Sequence, residues 1–259
     1  MPPESRIADQ FRSYALPLPG NLFPELSVSA LLEDAGKGRR GGVLTRVDAG
    51  SGVPLVRTTT QYDNPAQEFR PVHEQLAQQI QEHAHIPIGF NNALIENYTN
   101  TYRTMGSHSD QALDLADDSF VAVFSCYENP ESGPPRTLIV ESKEPGDDER
   151  AEIPLTHHGF VTFSVASNRR FKHRIVLDTS GRAAENQWLG LTFRTSKTLV
   201  QYRDGHAYLP QGVRLTSADE AQRREFYRLR RRENTESDFV YPHLTYTVSD
   251  SDLLPPARP

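Results

Sequence analysis

Hydrophobic positions are concentrated between residues 93 and 194, in short apolar segments separated by turn residues. The segments are ALIENY, SFVAVFSCY, RTLIVES, GFVTFSV, HRIVLD and QWLGLTF, and breakers such as ENPESGPP and EPGDD stand between them. Their β-branched and aromatic side chains fit a pleated, half-buried surface better than a helix. The pattern predicts a mainly β protein with flanking helices, in which residues 88–200 form a jelly-roll core of two sheets.

Two segments outside this core have the features of helices. Pro71 opens PVHEQLAQQIQEHA, whose apolar residues recur every four positions, as a half-buried helix requires. Ser217 is followed three residues later by Glu220, which is the spacing of a capping box. We therefore expect a basic C-terminal helix over residues 216–232, which includes the sequence REFYRLRRR.

Regular periodicity is weak at both ends of the chain. Residues 1–70 contain many prolines and the glycine-rich stretch GKGRRGG at 36–42. This composition predicts an irregular N-terminal layer of loops that could act as a lid, with one short helix near residues 27–35. Residues 235–259 are expected to form a loosely held tail. We expect residues 1–259 to make up one domain.

Composition and charge narrow the class of protein. Hydrophobic residues make up 36% and charged residues 24%, as in a globular protein with a real core. The net charge of -6 weakens a nucleic-acid-binding interpretation, although a local basic face can still contact phosphates. The only cysteine is Cys126, and MPPESRIADQ has no apolar stretch typical of a signal peptide. We expect a soluble, cytoplasmic protein with no membrane partner.

Three residues in the predicted core could bind a metal ion. His108 and Asp110 are two residues apart, so their side chains point the same way on an extended segment. This pair alone is weak support, because about one such pair is expected by chance in a chain of this composition. His173 follows in HRIVLD. Two histidines and a carboxylate on facing strands form the facial triad of non-haem iron oxygenases, which leaves coordination positions open.

Arg194 lies in the next strand segment, QWLGLTFRTSKT. Its guanidinium is planar and always charged, and it can bind a carboxylate through two parallel hydrogen bonds. An oxo acid that chelates iron through its keto end still has a second carboxylate. We therefore predict that Arg194 binds one carboxylate of such a co-substrate, while a surface cation on an edge strand is the alternative interpretation.

The order of these motifs resembles the AlkB-like family of iron(II)- and 2-oxoglutarate-dependent dioxygenases, over about residues 55–198. The resemblance rests on NALIENYTNTYRTMGSHSD, NRRFKHRIV and LGLTFR, and on TTTQYDNP as a nucleotide-lid segment. It implies a double-stranded β-helix, with Fe(II), 2-oxoglutarate and dioxygen as requirements and succinate and carbon dioxide as products. It also implies that Tyr98 contacts 2-oxoglutarate. The residues expected to face the substrate are Tyr62, Asp63, Tyr102 and Arg103.

Three positions depart from the family pattern. Trp188 stands where members usually carry a second arginine, and Gly190 and Glu96 stand where members often carry asparagine. The co-substrate pocket is therefore rebuilt in part, and the preferred oxo acid stays open. The arginines that could supply the missing charge are Arg103, Arg169 and Arg170.

The leading hypothesis is a dioxygenase that oxidises a C–H bond, by hydroxylation or by oxidative N-demethylation. The resemblance implies an alkylated nucleobase in nucleic acid as one substrate class. A hydroxylase of a small metabolite or of a protein side chain is the alternative, which the acidic net charge favours. A non-catalytic binding module on the same fold is disfavoured because Asp110 is present. A zinc hydrolase is disfavoured because no general-base glutamate stands beside the metal motif.

Overall fold

The computed structural model describes residues 7–48, 50–178 and 185–258, so residues 1–6 and 259 of the expected N-terminal layer and tail lie outside the described residues. The helices are α1 (Ile7–Gln10), α2 (Phe23–Ser27), α3 (Pro71–His83), α4 (Val165–Arg170), α5 (Glu220–Glu233) and a 3-10 helix (Asp250–Leu253). The strands are β1 (Arg12–Ala15), β2 (Glu33–Gly36), β3 (Arg39–Thr45), β4 (Val53–Leu55), β5 (Gln67–Glu68), β6 (Asn92–Thr99), β7 (Phe120–Tyr127), β8 (Arg136–Ser142), β9 (Arg150–Leu155), β10 (Gly159–Ser164), β11 (Phe171–Val176), β12 (Gln187–Arg194), β13 (Thr198–Arg203), β14 (His206–Tyr208), β15 (Thr216–Ser217) and β16 (Tyr246–Thr247).

Two sheets form the core. The main sheet has the order β1-β10-β7-β12-β6-β3-β2, with β5 paired to β3, and the second has the order β11-β8-β9. The segment around His108 adds a bridge to β11. From β6 to β12 the chain alternates between the sheets: β6, β7, β10 and β12 lie in the main sheet, and the His108 segment, β8, β9 and β11 lie in the second. This connectivity is that of a double-stranded β-helix, so the predicted mainly β jelly-roll core with flanking helices is confirmed.

Strand β7 shows how the sequence produces the two faces of the main sheet. Val121 and Val123 pack in the apolar cluster between the two sheets, whereas Phe124 and Cys126 pack in a second cluster on the opposite face. Successive side chains of a strand point to opposite faces, so a strand covered on both faces has a continuous apolar sequence. Helix α3, predicted from Pro71, is confirmed and covers the outer face. Within the described ranges no helix has the length and apolar character needed to cross a membrane.

The N-terminal region contains strands where irregular loops were expected. Strand β3 pairs with β6, and β2 forms a hairpin with β3. The expectation for GKGRRGG is wrong because Gly36, Lys37 and Gly38 adopt positive φ angles and turn the chain back on itself. The helix expected near residues 27–35 is also wrong. Pro24 lies in the first turn of an earlier helix, α2, and the later residues form β2.

Helix α5 begins two residues later than the expected capping box. Asp219 is its N-cap: the Gln222 N–H donates to Asp219 Oδ1 at 2.8 Å, and the Asp219 N–H donates to Gln222 Oε1 at 2.9 Å. The predicted cap at Ser217 is therefore wrong, because Ser217 belongs to β15 and pairs with Thr247 of β16. An aspartate at this position also places a negative charge at the positive end of the helix dipole.

The C-terminal segment is packed against α5, which corrects the expectation of a loosely held tail. Phe239, Leu244 and Val248 are buried with Phe226 and Leu229 of the helix in a separate apolar cluster. Burying aromatic and aliphatic side chains of this size removes apolar surface from water and so orders the segment. This packing holds α5 beside the jelly roll.

Candidate metal centre

The candidate metal centre lies where an extended segment crosses to the second sheet. The His108 N–H donates to the carbonyl oxygen of His173 in β11 at 2.9 Å, and the His173 N–H donates to that of His108 at 2.7 Å. The Asp110 N–H donates to Asn168 Oδ1 at 2.8 Å, and Asn168 Nδ2 donates to the Asp110 carbonyl at 2.7 Å. One ligand atom from each of His108, Asp110 and His173 lies within 4.8 Å of the others. Backbone hydrogen bonds between His108 and His173, and bonds from the Asn168 side chain to the Asp110 backbone, thus bring the three residues, here called the triad, together.

The ligand atoms of the triad are available to a metal ion. Asp110 Oδ2 and His173 Nδ1 are buried and have no hydrogen-bond partner among the residues that the structure describes. His108 Nδ1 lies 2.9 Å from the Gly106 carbonyl oxygen, and a proton donated there leaves Nε2 free as a ligand. Buried polar atoms without partners are rare because each costs free energy. A divalent metal ion would satisfy these three atoms, Asp110 Oδ2, His173 Nδ1 and His108 Nε2. The residues of the triad therefore fit a metal ion.

The triad also has the protonation states that metal binding requires. Burial lowers the pKa of His173 to about 3. Burial and the nearby Arg230 lower the pKa of His108, so both imidazoles are neutral at pH 7. Burial opposes ionisation of Asp110, but His173, Arg194 and other neighbours outweigh it and hold the pKa of this carboxyl below its ordinary value. Neutral imidazoles and an ionised carboxylate are the ligand forms that bind metals.

Arg194 presents an incompletely paired guanidinium in the same region. It ends β12 opposite Asn92 of β6, and its side chain is 2% exposed. Its Nη2 donates to Asn92 Oδ1 at 3.3 Å, while its Nε has no partner within the described part of the chain. A buried cation with an unused donor is suited to a carboxylate, because charge-assisted bonds are stronger than neutral ones.

A cavity of about 400 Å³ adjoins the triad. Two of the three triad residues and Arg194 line it, together with Arg39 from β3 and Arg230 from α5. Arg39 Nε lies 2.7 Å from Glu96 Oε1, and Arg230 forms an ion pair with Glu233. The cavity is therefore polar and carries three cations, of which two are balanced by glutamates.

The interior of the jelly roll has a second end, which aromatic side chains fill. The ring centroids of Tyr98 and Trp188 are 4.8 Å apart, and the Arg136 guanidinium lies 5.3 Å from the Tyr98 centroid. Trp188 Nε1 donates to Ser125 Oγ at 2.9 Å, and the Tyr98 hydroxyl donates to Glu96 Oε2 at 2.7 Å. We call this end, with Tyr98, Trp188 and Arg136, the closed end. The triad, Arg194 and the cavity form the open end.

The packing of the closed end depends on a glycine, Gly190, and on a buried cation, Arg136. A Cβ atom on Gly190 would lie 2.1 Å from the nearest carbon of the Trp188 ring, so the indole occupies the space beside this glycine. Arg136 is 1% exposed and donates to the carbonyl oxygens of Tyr102 at 2.7 Å and Thr99 at 2.9 Å. These contacts close the interior around Trp188.

The residues expected to face the substrate or co-substrate are only partly brought together. Tyr102 lines the cavity, whereas Tyr98 lies in the closed end. Tyr62 is 5% exposed and does not line the cavity. Burial and the nearby Glu96 raise the pKa of its hydroxyl. Asp63 and Arg103 are exposed and are not part of the cavity lining.

The arginines expected to supply missing charge also lie outside the cavity. Arg169 pairs with Asp117, and the Arg170 guanidinium lies 5.7 Å from the Phe171 ring. Sequence reasoning missed Arg39 and Arg230, which the cavity does contain. The basic composition around both was visible, but only the pairing of β3 with β6 and the packing of α5 bring them to the site.

Most arginines of α5 are neutralised by neighbouring glutamates. The ion pairs are Arg224–Glu220, Arg228–Glu225, Arg230–Glu233 and Arg232–Glu236. Arg223 donates to the Val248 carbonyl oxygen at 3.1 Å. Pairs at these spacings stabilise an exposed helix. They also reduce the positive field that phosphates would meet.

Comparison with known proteins gives a general likeness of fold. No protein-family model and no curated protein matches this chain. Among solved structures, a Pseudomonas putida prolyl-4-hydroxylase aligns with a TM-score of 0.41 at 14% identity, covering 73% of this chain and 95% of that chain. OsALKBH1 aligns with a TM-score of 0.44 at 14% identity, covering 66% of this chain and 87% of that chain.

Proposed function

We propose that this protein is an Fe(II)- and 2-oxoglutarate-dependent dioxygenase that oxidises a C–H bond of its substrate. The observation that carries the proposal is the set of three ligand atoms within 4.8 Å of one another. Two of the three residues, Asp110 and His173, also have a buried ligating atom without a partner. Two histidines and one carboxylate are the ligand set of non-haem iron oxygenases.

Each residue of the open end has a role in this proposal. The triad holds Fe(II), and the Asn168 hydrogen bonds orient Asp110. Arg194 binds one carboxylate of the oxo acid through its unused donor. When bound, the metal supplies the activation of dioxygen, at the expense of oxidative decarboxylation of the oxo acid to succinate and carbon dioxide.

The lining of the cavity favours a small polar substrate. Arg39, Glu96 and Arg230 contribute paired charges, and Thr58 and Asn234 add uncharged polar groups. Such groups fix the orientation of a polar molecule near the metal. The paired arginines of α5 provide little free positive charge for a nucleic-acid backbone. Hydroxylation of a small polar molecule is therefore the favoured reaction.

Oxidative N-demethylation of an alkylated nucleobase is the second candidate. Tyr102 favours it, because a partly buried tyrosine ring at the cavity offers a surface on which a base can stack. This candidate also requires a phosphate-binding rim. The exposed Arg103, next to Tyr102 in the chain, is available for that role.

An anaerobic titration with Fe(II) and then 2-oxoglutarate tests the proposal. We expect one equivalent of each to bind and a weak visible charge-transfer band to appear. Asp110→Ala should lose both, whereas Asp117→Ala, which removes a surface carboxylate paired with Arg169 and Lys197, should retain both. Iron binding that is unchanged in Asp110→Ala would overturn the assignment.

Turnover then separates the two substrate classes. After admission of oxygen, succinate formation should be stimulated by members of a panel of free amino acids, nucleosides and other small polar compounds. Stimulation by methylated oligonucleotides alone would select the demethylase candidate. The absence of 2-oxoglutarate turnover under every condition, with iron bound, would reject both.

A further inference from the structure

A second cluster of metal-ligating side chains lies on the other side of the main sheet from the triad. Cys126, His157 and His158 each offer a ligand atom, and these atoms lie within 4.8 Å of one another. Cys126 packs in the outer apolar cluster with α3, whereas the β7 residues Val121 and Val123 face the interior between the sheets. The cluster shares no residue with the triad or the cavity.

The chain between β9 and β10 forms a tight turn that positions the two histidines. The Gly159 N–H donates to the Thr156 carbonyl oxygen at 3.0 Å, and His158 has a φ of 56° in the left-handed region. The His158 N–H donates to the Ser125 carbonyl oxygen at 2.8 Å, which fastens the turn beside Cys126. Residues other than glycine rarely adopt this φ, and such conformations persist where the surrounding structure imposes them. The turn brings the His157 and His158 rings to 3.8 Å between centroids.

An oxygen atom from the N-terminal region, Asn21 Oδ1, lies beside the thiol and also accepts the Phe23 N–H at 2.8 Å. Asn21 Oδ1 lies 3.6 Å from Cys126 Sγ, and Asn21 Nδ2 donates to the Tyr127 and Glu128 carbonyl oxygens at 3.0 Å each. The side chain is therefore held in place independently of the thiol. A cysteine sulfur and two imidazole nitrogens are ligands that Zn²⁺ binds, and a fourth position can be taken by water. Cys126 and His158 are buried, while His157 is partly exposed and provides a path for the ion.

The histidine lone pairs are at present occupied by weak acceptor contacts. His157 Nδ1 accepts the Tyr127 N–H at 3.1 Å, and His158 Nε2 accepts the Leu22 N–H at 3.4 Å. The His158 contact is longer than the usual range of 2.7–3.2 Å for N–H donors, and the His157 contact lies near its upper end. A metal ion can displace such contacts, because a direct bond to the same nitrogen is much stronger. Metal binding at these nitrogens therefore requires the two rings to turn away from the backbone N–H groups of Tyr127 and Leu22.

We propose that Cys126, His157 and His158 bind a zinc ion that fastens the turn between β9 and β10 to strand β7. Binding converts the Cys126 thiol to a zinc-bound thiolate and releases one proton to solvent, with no change in oxidation state. The role is structural, because the site lies on the outer face of the sheet, away from the cavity. The proposal does not depend on the proposed dioxygenase activity.

Cobalt(II), a spectroscopic substitute for zinc, tests the proposal on the metal-free protein under anaerobic conditions. We expect two equivalents to bind, one of which produces a near-ultraviolet thiolate-to-cobalt charge-transfer band. Since Cys126 is the only cysteine of the chain, the band can arise at no other site. His173→Ala should keep the band and lose the other equivalent, whereas Cys126→Ser should lose the band. In His173→Ala, where only the Cys126 site remains, one equivalent of zinc should abolish the band.

A second variant keeps the test decisive if Cys126→Ser does not fold. His157 is partly exposed, so His157→Gln should fold, retain the thiol and bind cobalt at this site at least about tenfold more weakly. Zinc should raise the Tm of His173→Ala and should not raise that of the His157→Gln/His173→Ala double variant. Binding of a single equivalent to the wild type with no thiolate band would overturn the proposal, as would full cobalt affinity in His157→Gln.

Discussion

The open and closed ends of the jelly-roll interior share strands β6 and β12, yet they differ in how their polar atoms are satisfied. At the closed end, Trp188 Nε1 and the Tyr98 hydroxyl each donate a hydrogen bond. At the open end, Asp110 Oδ2, His173 Nδ1 and Arg194 Nε are buried and have no partner among the described residues. An unsatisfied buried polar atom costs about 1–3 kcal/mol. Stability is therefore concentrated at one end and ligand-binding capacity at the other.

Glu96 joins the two ends. Its Oε2 accepts the Tyr98 hydroxyl at 2.7 Å, and its Oε1 lies 2.7 Å from Arg39 Nε at the cavity. One carboxylate thus fixes an aromatic residue of the closed end and balances a cation of the open end. The comparison predicts that substitutions at the open end change ligand binding with little change in stability, and that substitutions at the closed end do the opposite.

The largest effect is expected for His173→Ala. Removing one of three metal ligands should abolish stoichiometric Fe(II) binding, a loss of at least a thousandfold in affinity or about 4 kcal/mol. The free energy of unfolding of the metal-free protein should fall by less than in the closed-end variant, because the cost of the cavity left by the imidazole is offset in part by removal of an unpartnered buried nitrogen. Anaerobic iron titration and urea unfolding measure the two quantities. Iron affinity equal to that of the wild type would show that His173 is not a ligand.

Trp188→Ala is the matching test at the closed end. Deleting a buried indole that packs on Tyr98 and lies beneath Arg136 should destabilise the protein by about 3–5 kcal/mol. Trp188→Phe should cost less, because it keeps most of the apolar volume and loses the bond to Ser125. Urea unfolding gives both values, and Fe(II) affinity measured below the unfolding transition should stay near that of the wild type. If Trp188→Ala lost as much free energy of Fe(II) binding as free energy of unfolding, the two ends would not differ in the way described.

Arg194→Ala should produce a smaller change, confined to the co-substrate. A charge-assisted contact contributes about 1.5–3 kcal/mol, so the apparent 2-oxoglutarate requirement should rise about ten- to a hundredfold. Arg194→Lys should restore only part of it, because lysine cannot form two parallel bonds. The readout is 2-oxoglutarate affinity by anaerobic titration, with iron affinity as the control. An unchanged requirement would direct attention to Arg39 as the carboxylate partner.

The smallest effect is expected on α5. Charge reversal of Arg228 and Arg231 to glutamate should leave 2-oxoglutarate turnover unchanged, because neither residue lines the cavity. On the small-molecule proposal, single-stranded oligonucleotides should bind negligibly at physiological salt before and after the change. If the helix contacts phosphates, the log of affinity should instead fall by about 0.7 per contact for each unit of log salt, and charge reversal should weaken binding. That second result would favour the nucleobase candidate.

The sequence predicts those parts of the site in which local spacing determines geometry. His108 and Asp110 are two residues apart on an extended segment. His173 and Arg194 lie in two consecutive apolar segments, which form strands β11 and β12. Arg39 could not be predicted, because it reaches the cavity only through the pairing of β3 with β6, more than fifty residues away in the chain.

The ends of the chain were harder to predict for a different reason. The glycine-rich stretch at 36–42 has the composition of a loop, but its glycines form a hairpin turn and allow β3 to pair closely with β6. The segment FVYPHLTYTV at 239–248 is rich in apolar and aromatic residues, but only its contacts with Phe226 show which element it packs against. In both cases the tertiary environment, and not the local pattern, decides the structure.

The close approach of Gly190 to Trp188 also limits the order in which residues of the closed end can change by mutation. Any side chain introduced at Gly190 meets the indole first, since even a Cβ atom would lie 2.1 Å from it. Replacing Trp188 with a smaller residue removes that obstacle and only then makes position 190 variable. The effects of mutations at positions 188 and 190 are therefore epistatic. A lineage would have to replace Trp188 with a smaller residue before it could gain a new polar side chain at position 190.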